Sequence, residues 1–352
     1  MKNNLPEANL NQRGRASFDF LGHMFHGTHN IRTAATEYVE NEFGEGDELP
    51  EDLDQRVKQV SEYALQSPAT RVRRTVGEWH ASNHGQIAVD AFEALGEEFA
   101  ANLHQFDNGS SSLTLDDEFD VPSYWEGVEF HRTSGGWDGH QYMGFIHGEL
   151  VHKKMVDVIY PGAIFKQRCD VAKLAPKDTY EKILEMGTST GHYTLGLALA
   201  YPDASITGLD LSARALEHTL RVGNANNYSW DLYRRPAERT GFDDNTFDLV
   251  SSYILLHELP LQTIKDVFAE AFRVLKPGGD MLMSDVVRYA QMNKLQVSLA
   301  DEDAAYGGEP FWRESASADL EAIADEAGFT DVRITNLGTG PYPYVVIGSK
   351  PL

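Results

Sequence analysis

The stretch that most constrains this chain is Ile183-Leu184-Glu185-Met186-Gly187-Thr188-Ser189-Thr190-Gly191, continued by the run that ends Gly208-Leu209-Asp210. A short apolar segment reaches Glu185, Gly187 and Gly191 bracket a tight turn, and a helical pattern from His192 to Tyr201 leads to a second apolar segment closed by an acid. Glycine at the bracketing positions lets the backbone turn sharply and approach a ligand. The order describes a β-turn-α-β unit that holds a nucleoside, with the closing acid placed to accept hydrogen bonds from ribose hydroxyls. Against G-x-G-x-x-G the match is poor: Ser189 stands at the middle glycine and His192 at the third, and a serine there crowds a pyrophosphate. A nicotinamide or flavin site is therefore disfavoured.

After Pro176 short apolar runs alternate with helical patterns. Strands are expected at 183–186, 205–209, 247–253, 279–287, 331–336 and 344–348, and helices at 192–200, 213–223, 261–275 and 318–327. Crossover helices of this length imply an α/β fold with a mostly parallel sheet covered on both faces. Gly338-Thr339-Gly340-Pro341 is too short for a crossover, so the terminal strands form an antiparallel pair. The first 170 residues read as mainly helical, over 18–43, 53–64, 71–79, 87–106 and 141–159, interrupted by an acidic, aromatic arm and by a glycine- and histidine-rich passage from Phe130 to His140. Two domains are expected, a helical one over 1–170 and an α/β one over 171–352, with an insertion at 288–316 long enough to act as a lid.

Four landmarks of the second half, spanning roughly residues 176–348, resemble the class I S-adenosylmethionine-dependent methyltransferases. Glu185-x-Gly187-x-x-x-Gly191 is similar to the family's first motif, whose acid and glycines surround the methionine part of the cofactor. Asp210 matches the acid that holds the ribose, with Leu211 beside the adenine. Ala237-Glu238, ahead of Phe242-x-x-Asn245-x-Phe247-Asp248, resembles the segment that contacts adenine, and Ala271-x-Arg273-Val274-Leu275-Lys276-Pro277-Gly278-Gly279 resembles the turn before the fifth strand. The resemblance implies a Rossmann-like sheet of seven strands and S-adenosyl-L-methionine as cofactor. It also implies a cofactor site built from Glu185, Gly187, Ser189, Gly191, Asp210, Leu211, Ala237, Glu238 and Ser252. Two departures stand out. Relatives usually carry glycine in place of Ser189, and many carry Asp in place of Pro236, so details of the turn and of the adenine contact differ here.

Methyl transfer from a sulfonium is an in-line displacement that requires alignment, exclusion of water and, for an oxygen or nitrogen acceptor, a base. In a doubly wound sheet the acceptor lies beyond the carboxyl ends of the strands. The resemblance places His257 at that entrance, and imidazole titrates in the range of a general base; packing under the lid is the competing reading. Tyr306, Phe311 and Trp312 of the insertion are expected to wall an apolar acceptor and Arg313 to meet a carboxylate, unless Phe311 and Trp312 plug the gap between the domains. His147 and Tyr142 are further chamber candidates, with a core stripe as the alternative. His140, Glu149 and His152 lie nearby, but nothing in their spacing brings three or four ligands to about 2 Å from one point. No metal is expected.

With 54 acidic against 30 basic residues and a formal charge of -24, the surface is unsuited to nucleic acid or an anionic membrane. No run approaches the roughly 18 apolar residues of a membrane span, and a lone Cys169 fits a reducing cytoplasm. The expected protein is a cytoplasmic enzyme that methylates a small organic acceptor, oxygen ahead of nitrogen and carbon, with a homodimer formed through the helical half. The alternatives are a non-catalytic cofactor-binding or regulatory protein, and an enzyme that uses the same cofactor without methylating.

Overall fold

Apolar runs buried on both faces make the centre of a parallel sheet, and in this chain they fall at β2 (Lys182–Met186), β5 (Phe247–Tyr253) and β6 (Leu275–Asp285). The computed structural model describes residues 4–115, 120–338 and 340–352; Thr339 of the expected final turn and residues 116–119 of the acidic arm lie outside them. Ile183 and Leu184 are both fully buried yet belong to different cores, because successive strand residues point to opposite faces. One core lies beneath the helices His192–Ala200 and Ala213–Ala225, the other beneath Leu261–Val274 and Leu320–Ala327.

Around these three run β1 (Ser112–Thr114), β3 (Ser205–Asp210), β4 (Asp231–Arg234), β7 (Thr330–Thr335) and β8 (Tyr344–Ser349), in the sheet order β1-β4-β3-β2-β5-β6-β8-β7. Every pair is parallel except those of β8, which runs antiparallel to both β6 and β7. The mostly parallel, Rossmann-like sheet with an antiparallel end is therefore as expected, with seven strands from the second half of the chain. The eighth, β1, comes from the first half and pairs with β4 on the sheet edge. Neither β1 nor β4 has an apolar run; both are held by their neighbours rather than by their own composition.

The helical half contains Gln12–Gly27, His29–Phe43, Leu53–Ala64, Pro68–Glu93 and Glu97–Leu103. Pro68–Glu93 is one continuous helix where separate helices over 71–79 and 87–106 were expected. Gly85 faces Thr133, whose Cγ2 would lie 3.7 Å from an added Cβ, so this glycine fits a neighbour and ends nothing. Farther on, Ile146–Val156 is wound as a π-helix, a rare form that is frequent at functional sites. The turn before it, Met143–Phe145, and the π-helix itself lie against Ala213–Ala225 by presenting bare glycines. A Cβ on Gly144 would stand 2.1 Å from the Arg214 carbonyl oxygen, and one on Gly148 would stand 2.9 Å from His218 Nε2.

The insertion after β6 folds into Lys294–Gly307 and Trp312–Ser317. Its acids hold the helical half: Arg74 pairs with Glu302 at 2.5 Å and Arg73 with Asp303 at 3.1 Å. Among the described residues no helix is long and apolar enough to cross a membrane.

Gly144→Ala should lower stability by about 1–3 kcal/mol, the usual range for overpacking, read as a shifted denaturation midpoint. Gly77→Ala, in the middle of Pro68–Glu93 with nothing within 4 Å of the added Cβ, should instead raise the midpoint, since alanine is the better helix former by up to about 1 kcal/mol.

Candidate cofactor and acceptor site

The strand order reverses between β2 and β5, and a crevice opens beyond the carboxyl ends of the strands at such a point. Here it encloses about 700 Å³, including space open to solvent. Asp210, at the end of β3, ties its floor together. One carboxylate oxygen accepts the Ser189 N–H at 2.8 Å and the other the Ser212 N–H at 2.9 Å, so a single side chain fixes the turn after β2 and the start of the next helix. Gly187, Ser189 and Gly191 all have left-handed backbone, with φ of +78°, +46° and +79°. Serine thus occupies a conformation natural to glycine, held by Asp210 and by Thr219, whose hydroxyl donates to the Ser189 carbonyl at 2.8 Å. Ile254, also on the cleft, has φ +57°; a β-branched residue in that region is strained, and such strain clusters at binding sites.

Of the residues expected to hold the cofactor, Gly187, Ser189, Asp210, Leu211 and Ala237 line the crevice. Glu185 lies buried, and neither of its carboxylate oxygens has a hydrogen-bond partner. Burial, opposed by the nearby Thr194 hydroxyl and aided by the Asp210 charge, pushes its carboxyl up to about 8, and burial, opposed by the Ser212 and Ser189 N–H groups, pushes Asp210 up to about 6. The other three have different surroundings. Gly191 stands behind the turn, where a Cβ would meet Thr219 at 3.1 Å. Glu238 is turned to Tyr124, whose hydroxyl lies 2.9 and 2.8 Å from its two oxygens. Ser252 is buried in the sheet with its hydroxyl on the Met283 sulfur at 3.0 Å.

The facing wall comes from the first half of the chain: Tyr124, Trp125 and Trp137. Sequence reasoning missed these three. Their signal was an aromatic group within a polar, glycine-rich loop, where no core periodicity asks for aromatics.

None of the six expected acceptor residues lines this crevice. His147 stands one layer behind, edge-on to Trp137 at 4.1 Å and beside His152 at 4.2 Å; burial, then His152, holds it well below its usual range, so it is neutral. Trp312 packs on His257 at 5.7 Å. Tyr142 belongs to the helical core, its ring on Phe92 and its hydroxyl 3.0 Å from His104. Tyr306 lies beneath the Arg74 guanidinium, and Phe311 faces Phe130 at 6.4 Å. Arg313 is engaged by Asp301 and Asp54, each at 2.6 Å, which leaves it no free edge for a substrate carboxylate. The histidines near 140–152 also disperse: His140 pairs with Glu93, and Glu149 with Lys153 and His218.

His257 differs from a free base. It is buried, its Nδ1 faces Asp285 at 3.1 Å, and its Nε2 lies 3.5 Å from Glu258. Against the pull of burial, Asp285 and then Glu258 raise it well above its usual range, so the ring is an imidazolium in this arrangement. Glu258 is the neighbour that lines the crevice. Although burial opposes its charge, His131 and His257 hold it well below the usual carboxylate range.

A Rossmann-like domain with a nucleoside cleft, a ribose-type acid and a buried acid beside the glycine turn is defined by these features. Residues 183–279 match a family model described as a methyltransferase domain. The chain is 32% identical over 154 residues to an uncharacterised methyltransferase of Synechocystis, spanning 44% of this chain and 68% of that one. It is 31% identical over 167 residues to an arsenite methyltransferase of Aquipseudomonas alcaligenes, spanning 44% and 45%. Among solved structures it resembles a phosphoethanolamine N-methyltransferase 2 of Haemonchus contortus, with a TM-score of 0.49 and 17% identity over 66% of this chain and 62% of that one. Of several other curated relatives the chain spans less than half the length. The chain belongs to the class I S-adenosylmethionine-dependent methyltransferases, and S-adenosylmethionine is its cofactor.

The residues present fit that group. Asp210 keeps lone pairs for ribose hydroxyls, Leu211 and Ala237 offer an apolar seat for adenine, and the unpartnered Glu185 carboxylate suits a cationic amino group. An unpaired buried acid of this kind costs stability. The folded chain keeps the Glu185 proton up to about pH 8, while the unfolded chain releases it near 4.5, so the native state loses stability as pH rises between the two. Glu185→Gln should therefore be more stable than the parent at pH 7, by on the order of 2–3 kcal/mol, and the gap should close below about pH 4.5. The same variant should bind the cofactor at least about tenfold more weakly, the loss of one charge-assisted contact. Denaturation midpoints against pH and calorimetric titration measure the two effects.

Proposed function

We propose that this protein transfers the methyl group of S-adenosylmethionine to a small organic acceptor bound at the Glu258 and Trp137 end of the crevice, with oxygen as the first choice of nucleophile. The observation that carries the reading is that Tyr124, Trp125 and Trp137 line the cleft together with Gly187, Ser189 and Asp210, because a sulfonium reacts usefully only where water is excluded and the acceptor is held in line. The cofactor supplies an activated methyl group. Asp210, Ser189 and Gly187 hold its nucleoside end, and the aromatic wall keeps solvent out. Glu258, an ionised carboxylate that lines the cleft, gives the acceptor end its negative charge. His257, behind Glu258, fixes that carboxylate and acts as a positioning residue. Under this reading residues 1–170 form a substrate-chamber domain, 171–352 the cofactor domain, and 288–316 a lid pinned to the helical half.

Purified protein incubated with the cofactor and a panel of phenols, hydroxy acids, amines and thiols should release S-adenosylhomocysteine, most with hydroxylated acceptors. Cofactor binding without release across the panel would overturn the reading in favour of a regulatory role. His257→Ala should lower turnover by roughly 10-fold or more, short of the about 100-fold minimum for removing an acid–base group because His257 acts through Glu258, while leaving cofactor affinity within about twofold. Equal losses in both would remove His257 from the acceptor side.

A further inference from the structure

Beside the crevice, three distant stretches of chain bring together His131, His257, Glu258 and Glu309. Each offers one ligand atom, and these atoms lie within 4.8 Å of one another. The finer geometry is more telling. His131 Nε2 is 3.1 Å and His257 Nε2 3.5 Å from the same oxygen, Glu258 Oε1. A four-coordinate zinc ion with bonds of about 2.1 Å separates its ligand atoms by roughly 3.4 Å. The far nitrogen of each ring meets a carboxylate: His257 Nδ1 meets Asp285 at 3.1 Å, and His131 Nδ1 meets Glu309 at 2.7 Å. Such outer carboxylates fix the tautomer and aim of ligating imidazoles. Asp285 is shared with Arg288 at 3.6 Å.

Oε2 of Glu258 and Oε2 of Glu309 are buried without a hydrogen-bond partner. Buried oxygens of this kind are ordinarily satisfied, and hydrogen bonds within the cluster leave both wanting. His131 and Arg132 also have left-handed backbone, φ +53° and +55°, a costly conformation for side chains of this size.

We propose that His131 Nε2, His257 Nε2 and the Glu258 carboxylate bind a divalent transition metal ion, with Asp285 and Glu309 orienting the two rings. Two imidazoles and one carboxylate suit zinc or its neighbours rather than magnesium or calcium, which take oxygen ligands. Three protein ligands leave one position open. Since Glu258 lines the crevice, that position faces the acceptor end, where an ion lowers the pKa of a bound hydroxyl; this last consequence rests on the methyl-transfer reading, while metal binding does not. The sequence expectation of no metal is revised accordingly.

The test uses the full chain, stripped with a chelator, dialysed, and titrated with Zn2+ against a chromophoric competitor, with elemental analysis for stoichiometry. One Zn2+ per chain is expected, and Co2+ in its place should show the intense visible bands of a four-coordinate site. His131→Ala and Glu258→Gln should each weaken binding by at least about 100-fold. Glu309→Gln should weaken it by roughly 10–100-fold with the stoichiometry kept, as for an outer partner. His140→Ala, whose ring pairs with Glu93 instead, should bind as the parent does. Retained cofactor binding certifies that each variant is folded. Failure of the parent to bind Zn2+, or equal binding by His131→Ala and Glu258→Gln, overturns the proposal. Neither result bears on release of S-adenosylhomocysteine, so the fate of the metal site and that of the methyl-transfer reading are read separately.

Discussion

The carboxylate of Asp210 is the contact on which the cofactor cleft depends. By accepting one N–H from the turn after β2 and another from the start of the helix after β3, it extends the grip that the Leu209 carbonyl already has on the Gly187 and Thr188 N–H groups. Ser189 remains in left-handed backbone because of that grip, and the turn keeps its shape with a side chain where relatives have none. The same carboxylate raises the cost of ionising Glu185 nearby. The two acids of the cleft thus differ in their surroundings: Asp210 is bonded on both oxygens, while Glu185 is buried with neither oxygen bonded, and stability is given up there.

The sheet was legible in the sequence to the extent that its strands bury both faces. Ile183–Met186, Phe247–Tyr253 and Met281–Asp285 have apolar runs with no helical period, and their burial requires a central place. Asp231–Arg234 offered no such signal, and Ser112–Thr114 still less, since three polar-flanked residues become a strand only beside a partner already in place. The helix Pro68–Glu93 shows the converse: it runs unbroken through 80–86, where no helix was expected, and there it buries His80 and His84, one turn apart on the same face.

The candidate site divides along the same line. The glycine turn and Asp210 are local in sequence, and their chemistry could be read from spacing. Tyr124, Trp125, Trp137 and His131 could not, because nothing local says which side of the molecule an irregular arm will cover. Conversely, Tyr306, Phe311 and Arg313 looked like chamber residues on composition, yet their aromatic faces and charge are consumed in joining the insertion to the helices. Aromatic and cationic residues serve interfaces within a chain as readily as binding sites, and only the fold decides between them.

The short edge strand β1 has a mechanical meaning. It ties the first half of the chain to the sheet edge through three residues of parallel pairing, reinforced by the Ser111 hydroxyl, which donates to the Tyr228 carbonyl and accepts the Trp230 N–H, and by the Ser112 hydroxyl, which donates to Asp231. The helical half is thereby fastened to the sheet by backbone pairing as well as by side chains, and the two halves of the chain share one sheet.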